Sequence, residues 1–87
     1  MDFRFSEEFF KGYEHLKREN RKLSGKVMDL ILDIDASPFV GLGKPEALRG
    51  NMSGCWSRRI DQVHRLIYRC ENDLVEIISC YGHYGEK

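Results

Sequence analysis

CWSRRIDQVHRLIYRCENDLVEIISCY, from Cys55 to Tyr81, decides the fold. Apolar and β-branched runs alternate in it with short polar breaks, the signature of strands joined by tight turns. Cys55 to Ile60 and His64 to Cys70 read as two strands around an Asp61-Gln62 turn. Glu71-Asn72-Asp73 makes the next turn, and Leu74 to Tyr81 the last strand. Side chains alternate across a strand, so Arg65, Ile67 and Arg69 share one face while Leu66 and Tyr68 share the other. In the neighbouring strand Ser57 and Arg59 alternate with Trp56 and Arg58. A charged face is thereby separated from an apolar one, and register decides which arginine goes where.

Upstream, residues 38 to 54 hold Pro38, Gly41, Gly43, Pro45, Gly50 and Gly54, a turn-rich connection with a short strand expected around Ala47 to Arg49. Before it come two amphipathic helices. Ser6 reads as an N-cap, with Glu7 and Glu8 placed well against the helix dipole. Phe9, Tyr13 and Leu16 form the first stripe, which runs to about Asn20. A second helix is expected from about Leu23, with Val27, Leu30, Ile31 and Ile34 on its apolar side, ending at Ser37-Pro38. Phe3 and Phe5 alternate with Asp2 and Arg4 in a short first strand. The order β-α-α-β-β-β predicts an α+β domain, a helical hairpin packed on one face of a twisted, mainly antiparallel sheet. The 87 residues read as one domain, 1–87.

The three cysteines, Cys55, Cys70 and Cys80, are widely spaced and read as reduced core thiols rather than a disulfide framework or a zinc site. The apolar runs are too short to span a bilayer, and Met1-Asp2-Phe3-Arg4 does not open a signal peptide, so no membrane association and a cytoplasmic location are expected. Lysine plus arginine equal aspartate plus glutamate at 14 each, which argues against a polyanion partner until the distribution is considered. Residues 44 to 69 contain Lys44, Arg49, Arg58, Arg59, Arg65 and Arg69 against only Glu46 and Asp61. Local field, not net charge, is what a nucleic acid feels.

That segment, with His83 and Tyr84 beyond it, supplies a carboxylate, fixed cations and an imidazole. These suffice for phosphodiester cleavage without a metal or other cofactor, since RNA carries its own 2′-hydroxyl nucleophile. Arg59 and Arg65 are candidates to grip a phosphate together. Taken singly, each residue has a plainer reading: Glu46 as a salt-bridge partner, His83 as a surface residue, Tyr84 and Trp56 as packing.

The runs Ser37-Pro38-Phe39-Val40-Gly41-Leu42-Gly43-Lys44-Pro45-Glu46-Ala47-Leu48, Asn51-Met52-Ser53-Gly54-Cys55-Trp56-Ser57-Arg58-Arg59-Ile60, His64-Arg65-Leu66-Ile67-Tyr68 and His83-Tyr84 together resemble the YoeB/Txe-type toxins of the RelE/ParE superfamily. The resemblance covers nearly the whole chain and implies the RelE-like microbial RNase fold. It also implies a bacterial type II toxin that cleaves mRNA in the ribosomal A site and is held inactive by a YefM/Axe-like antitoxin. Operator DNA would be met only through the antitoxin complex, and homodimers are expected of such toxins.

By the same resemblance Glu46 is the general base on the 2′-hydroxyl, Arg65 stabilises the phosphorane-like charge and His83 protonates the leaving 5′ oxygen. Tyr84 helps place the nucleotide, and Lys44, Arg49, Arg58 and Arg59 are the candidate phosphate contacts. Tyr81-Gly82 stands where these toxins usually carry Arg-Tyr. The rival expectations are a superfamily member that binds DNA gyrase without catalysis, and an inactive antitoxin-binding co-repressor.

Overall fold

The computed structural model describes residues 1–82. Strand β1 (Asp2–Phe5) leads into helices α1 (Glu7–Glu19) and α2 (Arg21–Ala36), followed by β2 (Glu46–Ala47), a 3-10 turn (Gly50–Met52), β3 (Trp56–Arg59), β4 (Arg65–Glu71) and β5 (Leu74–Ser79). The sheet order is β1-β5-β4-β3-β2. All neighbours are antiparallel except β1, which lies parallel to β5 with Phe3 opposite Val75. The helix pair carries the chain from β1 across to β2 on the opposite edge of the sheet, and β5, last in the chain, enters beside β1 to make the parallel pair. This is the α+β architecture expected, with the helical hairpin on one sheet face.

Local chemistry fixes the helix ends. Ser6 Oγ accepts the Phe9 N–H at 3.0 Å, capping α1 as the sequence predicts. The second helix starts two residues earlier than expected, at Arg21, because Asn20 serves both helices. Its N–H closes α1 on Leu16 O at 2.8 Å, while its Oδ1 accepts the Lys22 N–H at 3.0 Å. One extended residue thus makes the whole corner.

The core lies between hairpin and sheet. Phe9, Leu16, Val27, Leu30, Ile31 and Ile34 meet Ile60, Leu66, Tyr68, Val75, Ile77 and Cys80. The last three show a break in strand period, two residues and then three. Tyr68 pairs with Ile77 but Ile67 pairs with Ser79, leaving Ile78 as an extra residue in β5. The bulge shifts the phase so that Cys80, rather than Ser79, joins the core. Strand β5 ends at Ser79, where the sequence suggests a strand running on to Tyr81.

Candidate active site

Cross-strand partners point to the same side of a sheet, so register places the candidate residues. Glu46 lies opposite Ser57, Ser57 opposite Ile67, and Arg59 opposite Arg65. Ser57 and Arg59 are two apart on β3. Glu46, Arg59 and Arg65 therefore share the sheet face turned away from the helices. The expected strand at Ala47 to Arg49 falls instead at Glu46–Ala47. The shift matters, because it makes Glu46 itself a ladder residue on that face.

The approach to Glu46 is held by backbone. Arg59 donates its N–H to Gly43 O at 2.6 Å. Gly43 takes φ 78°, and a Cβ there would lie 2.9 Å from Arg59 O and 3.0 Å from Leu30 Cδ2, so only glycine fits both the turn and the close approach. Lys44 follows with φ 53°, uncommon for a residue with a side chain. Exposed Lys44 and Arg49 flank Glu46 in sequence on this connection, Arg49 at the start of the 3-10 turn. Glu46 is exposed too, and it makes no ion pair or side-chain hydrogen bond among the described residues. The salt-bridge reading of Glu46 finds no partner there.

Arg65 is half-buried and anchored at one end. Its Nη1 donates to Asp61 O at 2.9 Å and His64 O at 3.2 Å, folding the side chain over the β3–β4 turn. Among the described residues Nε and Nη2 have no acceptor, leaving one guanidinium edge for a ligand. Asp61 organises the turn beneath it, accepting the N–H groups of Val63 and His64 at 2.9 and 2.6 Å. Burial pushes the Asp61 carboxyl up, but those two donors outweigh it and hold it below the usual carboxylate range. A hollow of about 460 Å³ opens beside Arg59 and Arg65, completed by Ile60, Asp61, Gln62 and, from α2, Lys26.

Arg58 corrects the expectation that it contacts phosphate. It is wholly buried on the helix side of the sheet. Its Nε donates to Tyr68 Oη at 3.2 Å, Nη1 to Asp33 Oδ2 at 2.5 Å and Leu42 O at 3.1 Å, and Nη2 to Ser37 O at 2.6 Å and Val40 O at 3.0 Å. All five guanidinium N–H groups are engaged, so none is left for a substrate. Tyr68 donates in turn to Pro38 O at 2.6 Å. Arg58 is the internal post around which the 37–42 loop wraps, upstream of Glu46. Its neighbour Arg59 is exposed, as alternation requires.

His83 and Tyr84 lie outside the described residues. Lys26 and His64 are side chains near this site that the sequence reading passes over. Lys26 sits on a helix whose charges look like an ordinary solvated face, and only docking of α2 on the sheet brings it to the hollow. His64 looks like the first residue of a strand but is a buried side chain contacting Gly82.

A mixed sheet carrying a helical hairpin, with Glu46, Arg59 and Arg65 at one end of its open face and an Arg4–Glu76 ion pair at the other, defines a small α+β class that presents a charged sheet face. Residues 5–84 match the YoeB-like toxin family of bacterial type II toxin–antitoxin systems, and the chain belongs to that family. It is 42% identical to Toxin YoeB of Streptomyces coelicolor over 84 residues, 97% of this chain and 100% of the relative. Among solved structures, a YoeB dimer from Staphylococcus aureus superposes with a TM-score of 0.86 at 35% identity, covering 97% of this chain and 98% of that one. A YoeB–YefM complex from the same organism gives 0.84 at 36%, with the same coverage.

Proposed function

We propose that this toxin is an endoribonuclease that cuts mRNA in the ribosomal A site by general acid–base transesterification. The observation that carries the reading is the shared open face of Glu46, Arg59 and Arg65, with the carboxylate unpaired among the described residues and Arg65 held by one edge only. Glu46 takes the proton from the ribose 2′-hydroxyl, whose oxygen then attacks the adjacent phosphorus. Arg65 meets the charge that builds on the phosphoryl oxygens, and Arg59 supports the same group. His83 gives a proton to the departing 5′ oxygen, and Tyr84 places the nucleotide. Lys44 and Arg49 line the strand's path as solvated cations, with Lys26 added from α2. The products are a 2′,3′-cyclic phosphate (or the 3′-phosphate from its hydrolysis) and a 5′-hydroxyl. No base or acid group beyond these side chains is required, and the need for a 2′-hydroxyl selects RNA over DNA.

The partner set follows the family. A YefM-like antitoxin is the proposed inhibitor, supported by the Staphylococcus aureus complex, and a homodimer is proposed on the related dimer. Ribosome and mRNA are the proposed targets, with operator DNA reached only through the antitoxin. No helix among the described residues is long and apolar enough to cross a membrane, and the cytoplasm is the proposed location. Adding the protein to a cell-free translation reaction tests the activity. Shortened mRNA with 5′-hydroxyl ends is expected, abolished by the antitoxin. Stalled or unaffected translation with intact mRNA would overturn the nuclease reading.

A further inference from the structure

We infer that His64 is a positioning residue: by accepting a hydrogen bond from the Gly82 N–H, it fixes the residue that immediately precedes His83 in the sequence. The catalytic consequence rests on the function proposed above, but the latch itself does not. His64 is 8% exposed, and its Nδ1 accepts the Gly82 N–H at 2.8 Å. The adjacent Arg65 donates its backbone N–H to Gly82 O at 3.0 Å. Both polar groups of Gly82 are therefore tied to two consecutive residues of β4 and its lead-in, one of them the candidate charge-stabilising arginine. Gly82 takes φ 87°, a conformation natural to glycine, so without these two bonds little in its own backbone would hold this direction.

The imidazole is itself held on several sides. Its ring lies 4.5 Å from the Tyr81 ring, centroid to centroid, and Nε2 is 3.9 Å from Glu19 Oε1 on α1. Tyr81 O–H donates to Glu19 Oε2, and the other neighbour of the Tyr81 ring is His15 at 4.9 Å. The His64 backbone is fixed by its N–H on Asp61 Oδ1 and by its carbonyl, which accepts the Ile60 N–H at 3.0 Å. Nδ1 can accept only with its lone pair free, which puts the proton on Nε2, on the side of the Glu19 carboxylate. One peptide bond separates the latched Gly82 from His83. An acid displaced by about 1 Å from its leaving oxygen loses on the order of 10²-fold in rate, so a latch at this position acts on turnover.

The test compares the full chain with three variants at this position. His64→Asn keeps an acceptor at the same bond distance from Cα, His64→Gln moves it one atom outward, and His64→Leu removes it. Amide hydrogen exchange of Gly82, read by nitrogen-15 NMR, is expected to quicken ~10-fold or more in the Leu and Gln variants and to stay slow in Asn, with the Ile77 amide unchanged in all. If the Leu variant does not fold, the Gln and Asn pair decides. Gly82 exchange that ignores the acceptor would overturn the latch. In the ribosome cleavage assay, kcat is expected to fall ~10–10²-fold in the Gln and Leu variants with KM within about 2-fold, and to recover in Asn. Loss of Gly82 protection with kcat unchanged would overturn the positioning role. A wild-type protein that does not cut would refute the nuclease proposal, while the exchange measurement still decides the latch.

Discussion

Arg58 Nη1 donates to Asp33 Oδ2 across 2.5 Å, an ion pair that ties the last turn of α2 to the strand beside the candidate active face. The same carboxylate oxygen accepts the Leu42 N–H at 2.9 Å, so one atom holds both the strand and the loop that leads to Glu46. A Cβ at Gly41, where φ is 121°, would collide with that oxygen. The buried arginine thus fixes the loop from behind, while its neighbour Arg59 lies exposed on the open face in front.

Removing wholly buried Arg58 takes the donor from the carbonyls of Ser37, Val40 and Leu42, at about 1–3 kcal/mol for each that stays buried and unpaired, and leaves Asp33 with the Leu42 N–H alone. For a domain with roughly 5–15 kcal/mol in hand, that is a large share. Urea unfolding of Arg58→Met is expected to show the loss, and Arg58→Lys to recover little, because an ammonium cannot reach five acceptors. An Arg58→Met protein as stable as wild type would contradict the structural role. A variant that stays stable but loses only RNA affinity would restore Arg58 to the phosphate set.

Acid should loosen the same region. The Leu42 N–H and the Arg58 guanidinium hold the Asp33 carboxyl below its ordinary value of 3.8, and the Asp61 carboxyl is also lowered. Both folded values lie below the unfolded ones, so the stabilisation is present above about pH 4 and is lost as pH falls through the folded values. Thermal midpoints measured from about pH 5 to 2 should drop, with a shallower drop in Asp33→Asn. An equal slope in that variant would mean that Asp33 is not the group being protonated.

The bulge in β5 has a chemical signature. It carries Cys80 into the core, where the thiol donates to Phe9 O at 3.6 Å and burial pushes its pKa up to about 12. At pH 8 only about one thiol in 10⁴ would be thiolate. Alkylation followed by mass spectrometry should label half-buried Cys70 first and Cys80 only on unfolding. Rapid labelling of Cys80 in the native protein would contradict the bulged register.

Much of this was legible from residue order. Alternation in Arg65 to Arg69 separates the charged from the apolar face, and Ser6 with its two glutamates announces α1. Arg58 and Arg59 show the limit. Alternation says that two adjacent arginines point opposite ways, but register says which goes inward, and that register is set by the remote contact of Arg59 N–H with Gly43 O. The partner that would have marked Arg58, Asp33, sits beside the Leu30–Ile34 stripe and looks like one more surface acid. Asn20 was illegible for a different reason: a two-helix corner with no loop gives no turn-rich stretch to read. The start of β2 lies one residue earlier than expected, enough to turn Glu46 from a residue ahead of the strand into a ladder residue on the open face.

Lys26 offers a separate check on the hollow beside Arg59 and Arg65. If it meets a phosphate, Lys26→Gln should weaken binding of a single-stranded oligoribonucleotide about 2–5-fold. The same change should lower the magnitude of the salt slope by ~0.7, the value for one phosphate no longer neutralised. Lys17→Gln, on α1, should leave both unchanged. Equal slopes for Lys26→Gln and wild type would remove Lys26 from the RNA path.

The measurement closest to the central claim is primer extension on a defined mRNA held on programmed ribosomes, comparing wild type with Glu46→Gln. The amide keeps the shape of the side chain and removes the base. Wild type is expected to cut within the A-site codon, and Glu46→Gln to cut ~10²–10⁴-fold more slowly with the fold intact. Equal cutting by both proteins would contradict the role of Glu46, and no cut by folded wild-type protein would contradict the nuclease account itself.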